Sequence, residues 1–247
     1  MYLNTRGLVL RVSDYNDRDA LLTLLTPEHG KITVKARGLR RKNSPLTAPC
    51  QLLALGEYTL FEYRDSFSIN EAHSIELFQG LRKDLVKLSL GTYFAQVAEL
   101  LSMEDTPNPE LLSLVLNCLY ALSDMSVRED QVKAVFELRC ACLSGYSPDL
   151  FACHICENPE PDRFDVSNGM LSCASCHHLG HTGIRMPVSH SVLCAMRYIV
   201  SCDPKRLMSF QASDETLKQL AQVTELYLTT QLERGFSALD FYKSLFL

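Results

Sequence analysis

The chain has 247 residues, enough for one large domain or two to three small ones, and at 47% hydrophobic it can bury a core, which excludes global disorder. The apolar run Leu111–Leu122 is too short to cross a bilayer, and MYLNTRGLVLRV lacks a charged segment followed by an apolar one, so neither a membrane span nor a secretory leader is expected. A formal net charge of -5 hides an uneven distribution: residues 1–80 hold ten Lys and Arg against nine Asp and Glu, and no acidic residue stands between Glu28 and Glu57.

In chain order, the first eighty residues read as strands. Leu3–Val12 is rich in aliphatic and β-branched residues, Ala20–Thr26 is a short apolar run, and Lys31–Arg37 alternates with Ile32, Val34 and Ala36 on one side and Lys31, Thr33, Lys35 and Arg37 on the other. Gln51–Tyr63, broken by Gly56, and Phe67–Ile75 complete five strands with Gly, Pro and Asn between them, the pattern of a small antiparallel barrel. From Leu81 the period becomes helical. Asn108-Pro109 reads as an N-cap and first-turn proline of a helix to about Leu122, and Gln131–Ser144 as a further helix. Residues 151–183 read as irregular. Ser189–Ser201 and Asp214–Arg234 read as helices, the second with Gly235 as C-cap. The fold class expected is α+β: a small N-terminal β-barrel, then a mainly helical region interrupted by a cysteine-rich segment. The expected segments are 1–80 for the barrel, 81–150 and 184–247 for the helical domain, and 151–183 for the cysteine-rich segment.

Ten cysteines without a leader argue for a reducing, cytoplasmic setting in which clustered thiols bind metal rather than pair as disulfides. Sixteen residues separate Cys153-His154-Ile155-Cys156 from Cys173-Ala174-Ser175-Cys176. A two-residue gap lets both thiolates of a knuckle reach one ion, and two knuckles close a tetrahedron, so Cys153, Cys156, Cys173 and Cys176 are the expected ligands of one structural Zn2+. His154, His177, His178 and His181 lie nearby as substitutes and are expected on the surface around the site. Four thiolates leave no open position for water, which counts against a zinc hydrolase, and the H-x-E with P-C-x-x-C of a deaminase does not occur.

The stretch GKITVKARGLRRKNSP carries Lys31, Lys35, Arg37, Arg40, Arg41 and Lys42 with no acid. A run of bases is ordinarily a solvated face. On a small barrel it is also what a phosphate chain requires, and six contacts to a single strand would give a salt slope of roughly -4. Tyr15, Tyr58, Phe61, Tyr63 and Phe67 are candidates for base stacking, and most are expected in the core of so small a barrel; Arg11 and Arg64 are candidate extensions of the basic surface. No G-x-x-x-x-G-K-[ST] loop and no G-x-S-x-G elbow occur.

A strand, a polar turn with Asp and Arg, L-L-T-L-L-T, HGK and a strand leading to ARGLRRKNS follow one another in LVLRVSDYNDRDALLTLLTPEHGKITVKARGLRRKNSP. This segment, with LSGYSPDLFACHIC and NGMLSCASC further on, resembles the RecO family of bacterial DNA repair and recombination mediators, and the resemblance covers essentially the whole chain. It implies an N-terminal OB-fold barrel followed by a mainly helical domain carrying a four-cysteine zinc module, in a non-enzymatic protein that binds single- and double-stranded DNA and anneals complementary strands. It further implies work with RecR to load RecA onto SSB-covered DNA, contact with the acidic, apolar SSB tail, and a cytoplasmic, nucleoid-associated setting. The family's basic surface maps onto the six cations above, and its zinc ligands onto the four cysteines. Many members place glycine after the second cysteine, where this chain has Glu157; some lack the cysteines, which fits a structural rather than active metal. Two other classes are weighed. One is a metal-dependent nuclease using Asp14, Asp17 and Asp19, which are more simply solvated turn residues; the other is a zinc-containing scaffold that binds proteins alone.

Overall fold

The computed structural model describes residues 2–64, 66–179 and 183–246, without the side chains of 177–179. The chain forms two compact units, Met1–Met125 with Phe236–Leu247, and Ser126–Gly235. These units cut the chain differently from the expected segments, because three helices and the last one pack with the barrel.

In the first unit, β1 (Tyr2–Asp14), β2 (Ala20–Thr26), β3 (Gly30–Ala36), β4 (Leu55–Tyr63) and β5 (Ser66–Glu76) close a barrel in the order β1-β2-β3-β5-β4. Neighbours run antiparallel except at the short β3–β5 seam, where Val34 pairs with Phe67 and Lys35 with Ser68. These two pairs close the sheet into a barrel, and its interior fills with Val9, Leu22, Leu24, Ile32, Val34 and Leu60. The alternation expected for β3 holds: Ile32, Val34 and Ala36 are buried, while Lys31, Thr33 and Lys35 face out. The fourth strand begins at Leu55 rather than Gln51, because residues 37–54 form a series of turns.

The same unit holds α1 (Gln79–Arg82), α2 (Leu85–Leu101) and α3 (Pro109–Asp124). Asn108 caps α3 as its sequence implies, its Oδ1 accepting from the Leu111 amide at 3.0 Å.

The second unit holds α4 (Glu129–Leu143), α5 (His190–Ser201) and α6 (Asp214–Gln231). Leu217, Leu220, Ala221 and Leu228 of α6 are buried together. α6 ends at Gln231, and Glu233, not Gly235, takes the left-handed conformation (φ 48°), a correction to the expected cap. Residues expected to be irregular form a small sheet of β6 (Asp149–Cys153), β7 (Arg163–Asp165), β8 (Met170–Ser172) and β9 (Arg185–Pro187), ordered β6-β8-β7-β9. Its strands are too short to show a period. One more helix, α7 (Ser237–Ser244), belongs to the first unit and was not legible. No helix among the described residues is long and apolar enough to cross a membrane.

Candidate nucleic-acid interface and metal centre

The basic stretch begins at a turn that only glycine fits. Gly30 has φ 60°, and a Cβ there would stand 2.2 Å from the Thr106 carbonyl oxygen. This turn starts β3, and Lys31 then donates from Nζ to the Glu99 carbonyl oxygen at 2.9 Å, in the last turn of α2, where a cation suits the helix dipole. Lys31 thus ties β3 to α2.

Lys35 also has partners. Its Nζ lies 3.9 Å from Asp19 Oδ2 and 4.0 Å from the centroid of the Tyr15 ring. Asp19 accepts from the Gly38 amide at 2.8 Å and from Asn16 Nδ2 at 3.1 Å. Its carboxyl is held below the usual carboxylate range, first by the Gly38 hydrogen bond, then by Asn16, against the opposing effect of desolvation. The Arg40 amide donates to the Arg18 carbonyl at 3.1 Å, and its guanidinium pairs with Asp14. The β1–β2 turn and the loop after β3 are therefore zipped together, and the zip carries exposed Arg18 into the patch, a residue the linear stretch could not reveal.

Arg37, Arg41 and Lys42 are exposed and make no ion pair among the described residues. Of the six expected cations, three are thus open to solvent, Lys35 and Arg40 share carboxylates, and Lys31 braces the scaffold. Asp14 and Asp19 are occupied by those cations and by the loop. Arg11 pairs with Glu99 at 3.0 Å.

The aromatic residues sort by strand parity. Tyr58 is core, donating from its hydroxyl to the Pro49 carbonyl oxygen at 2.6 Å, and Phe67 packs against the same core. Phe61 and Tyr63 face outward, 40% and 59% exposed, which corrects the expectation that most would be buried. Pairing register places Lys35 beside Ser68, Ser68 beside Phe61 and Phe61 beside Tyr2, so one outer row crosses β3, β5, β4 and β1. At the usual strand spacing that row spans about 14 Å. The rings of Tyr2 and Phe61 lie 5.4 Å apart, and the Arg64 guanidinium lies 5.2 Å from the centre of the Tyr63 ring.

In the second unit, parallel pairing of β6 with β8 brings Cys153 to Leu171 and so to the knuckle that follows β8. The four Sγ atoms of Cys153, Cys156, Cys173 and Cys176 lie within 4.8 Å of one another. A tetrahedral ion with thiolates at about 2.3 Å requires sulfurs about 3.8 Å apart, and Cys156 and Cys173 stand 3.8 Å apart. The donor set therefore fits a four-thiolate ion. Asn158 Nδ2 and the Cys173 amide donate to Cys173 Sγ and Cys153 Sγ at 3.2 and 3.4 Å, partners that favour thiolates. Burial raises the Cys153 thiol, but the amides of Cys156, Ile155 and Cys173 outweigh it and lower it, whereas Cys173 is raised, its Asn158 hydrogen bond being outweighed by burial and the neighbouring thiols, and Cys176 is raised by Cys156 and burial. His154 turns Nδ1 to the Leu171 carbonyl oxygen at 2.8 Å and lies on the surface. The side chains of His177 and His178, and all of His181, lie outside the described residues. Glu157 takes φ 60°, the conformation glycine adopts without strain. Arg185 is buried, 3.8 Å from Asp165, so it supplies no exposed charge beside the cluster.

Comparisons with known proteins cover both units. The family model described as Recombination protein O N terminal matches residues 1–78, and that described as Recombination protein O C terminal matches residues 82–240. The DNA repair protein RecO of Acetivibrio thermocellus is 32% identical over 99% of this chain and 97% of its own length. That of Bacillus subtilis is 28% identical over 92% and 88%, and that of Symbiobacterium thermophilum 27% identical over 98% and 97%.

Proposed function

Since the chain belongs to the RecO family of DNA repair proteins, we propose that it is a DNA-binding recombination mediator that anneals complementary single strands and, with RecR, helps load RecA onto SSB-covered DNA. The observation that carries this reading is the barrel's outer face, where Lys35 shares a row with the outward rings of Phe61 and Tyr2, and the adjoining β1–β2 turn and loop after β3 carry the exposed cations. Arg18, Arg37, Arg41 and Lys42 neutralise phosphates, and Lys35 and Arg40 join by exchanging a carboxylate for a phosphate. Tyr2, Phe61 and Tyr63 offer faces on which bases stack without regard to sequence. Neutralising one strand lowers the repulsion that keeps its complement away, and pairing then runs downhill without nucleotide hydrolysis. The protein acts in this reading as a binder, not an enzyme, in the cytoplasm and at the nucleoid. The SSB tail, acidic and apolar, is a further partner.

In the second unit the four cysteines would hold one Zn2+. With all four positions filled by thiolate, the ion supplies cross-linking of the two knuckles and no site for substrate.

The test is annealing of complementary oligonucleotides, with and without SSB, by wild type and by the triple variant Arg37→Glu, Arg41→Glu, Lys42→Glu. The variant should lose binding and annealing together. With four open cations, the wild-type salt slope on single strands should be roughly -3. A Phe61→Ala arm should weaken single-strand binding by about tenfold while sparing duplex. Unchanged annealing in the triple variant rejects the surface, and salt-insensitive association without retention on DNA would instead favour a protein-only scaffold.

A further inference from the structure

We propose that Cys194 is a thiol-modification site, in which His190 serves as base and Glu160 orients it, and that the chemistry is exchange with small-molecule disulfides. His190 opens α5, and Cys194 sits one turn later on the same face. His190 Nε2 stands 3.3 Å from Cys194 Sγ, and His190 Nδ1 stands 2.5 Å from Glu160 Oε2. A carboxylate on Nδ1 keeps the imidazole proton on that nitrogen and leaves the Nε2 lone pair facing the thiol.

Glu160 is itself positioned: its amide donates to Asn158 Oδ1 at 3.1 Å, and its carbonyl accepts from Asn158 Nδ2 at 3.2 Å. Arg197 lies three residues beyond Cys194, on the same side of the helix. Its guanidinium donates to the carbonyls of Leu150, Phe151 and Pro159, and it makes no ion pair among the described residues. Arg197 thereby ties α5 to Pro159, the residue next to Glu160, and helps hold Glu160 against His190.

Cys194 also differs from the other cysteines. Cys50, Cys118 and Cys140 are buried, and Cys142 and Cys202 are partly buried with thiols pushed up by desolvation. The remaining four form the metal cluster, leaving Cys194 as the exposed thiol outside it. The constellation lacks what acyl transfer needs. Cys194 lies inside a helix, where backbone amides are spent on the helix and cannot face a developing oxyanion. Thiol–disulfide exchange has no such requirement.

In that step Nε2 takes the Cys194 proton, and Sγ attacks one sulfur of the disulfide. A new S–S bond forms to Cys194, the reagent's S–S bond breaks, and the departing thiolate takes the proton back from the imidazolium. Attack by a second small thiol reverses the exchange.

The test uses full-length, zinc-loaded protein with glutathione disulfide as probe and peptide-resolved mass spectrometry as readout. Cys194 should form its adduct about ten times faster than Cys202. His190→Ala should slow the Cys194 adduct by about tenfold and Glu160→Gln by about threefold, while the Cys202 rate stays fixed. The His190 and Glu160 side chains are 66% and 55% exposed, so these variants should fold, and the Cys202 rate together with zinc content verifies that they do. Equal rates at Cys194 and Cys202, or a Cys194 rate unmoved by His190→Ala, would overturn the assignment.

Discussion

The two units place their polar chemistry in opposite positions. The barrel keeps an apolar interior and carries its cations and spare aromatic rings outside. The second unit encloses its chemistry: three of its four clustered cysteines are buried, and between α4 and α6 lie Lys133, 3% exposed, and Glu137, 0% exposed. The difference follows from backbone bonding. Five strands of seven to thirteen residues form ladders long enough to close around an apolar core, so their outer face is free to carry charge. The strands β6 to β9 have three to five residues, too few for a ladder that stands alone, and the proposed ion joining the four thiols would supply the missing restraint.

The strongest way to break this contrast is Cys173→Ser. Zinc content should fall from one ion per chain to none, and the second unit should lose several kcal/mol of stability. Barrel binding to DNA should persist, because the cations and rings assigned to it are all in the first unit. Metal analysis of purified, reduced protein checks the first part; wild type without metal would end the zinc assignment.

The buried charges come next. Burial opposes the Lys133 ammonium, but Glu137 and Glu225 more than offset it and hold its pKa above the usual lysine value. Its Nζ lies 2.9 Å from a carboxylate oxygen of each and donates to the Ala221 carbonyl oxygen at 3.1 Å. Lys133→Ala should cost about 3–5 kcal/mol in urea unfolding, because it leaves Glu137, whose pKa burial already raises, enclosed without its counter-charge. Adding Glu137→Met to Lys133→Met should recover most of that loss, since two apolar groups need no counter-charge. A single variant as stable as wild type would show that the network is not what holds α4 to α6.

Much of this contrast was readable beforehand, and the unreadable parts have specific causes. The alternation of β3 gave its outward cations, and the spacing of the two knuckles gave the cluster, because both are short-range patterns. In YTLFEY the aromatic residues occupy both parities, so the need to fill a small barrel suggested core for most of them; Leu60 pointing inward puts Phe61 and Tyr63 outside. The partners of Lys35 and Arg40 come from the β1–β2 turn, which meets them only once β2 pairs with β3. Lys31 alternates like its neighbours, and nothing local announces that Glu99 awaits it. Cys194, His190 and Glu160 come together only through the contact of α5 with the loop after the first knuckle.

A smaller change sharpens the metal side of the comparison. Glu157 holds a left-handed conformation, and its amide donates to the Cys153 carbonyl oxygen at 2.9 Å, closing the first knuckle. A non-glycine residue there is strained, and relief is partly cancelled by the greater freedom of glycine in the unfolded chain. Glu157→Gly should therefore stabilise the second unit by about 0.5–1 kcal/mol and leave DNA binding unchanged, as read by thermal melting and oligonucleotide titration. A loss of stability would mean that the Glu157 side chain contributes more than its backbone costs.

The smallest expected effect tests the barrel face most finely. Asp14 is 81% exposed and Arg40 44%, and such a surface pair is worth between about 0 and 1 kcal/mol. On DNA, Arg40 must leave Asp14 for a phosphate, and the abandoned carboxylate then repels the same strand. Asp14→Asn removes both oppositions, so affinity for single strands should rise about twofold to threefold, and the salt slope should steepen by about 0.7 because one more cation is available to release a counterion. Asp19 is a different case, since its acceptance from Gly38 and Asn16 builds the loop that presents Arg40, and its loss should weaken binding. Opposite signs for two carboxylates five residues apart would separate a competitor from a scaffold. If Asp14→Asn leaves both affinity and slope unchanged, Arg40 does not touch the strand, and the interface narrows to Arg18, Lys35, Arg37, Arg41 and Lys42.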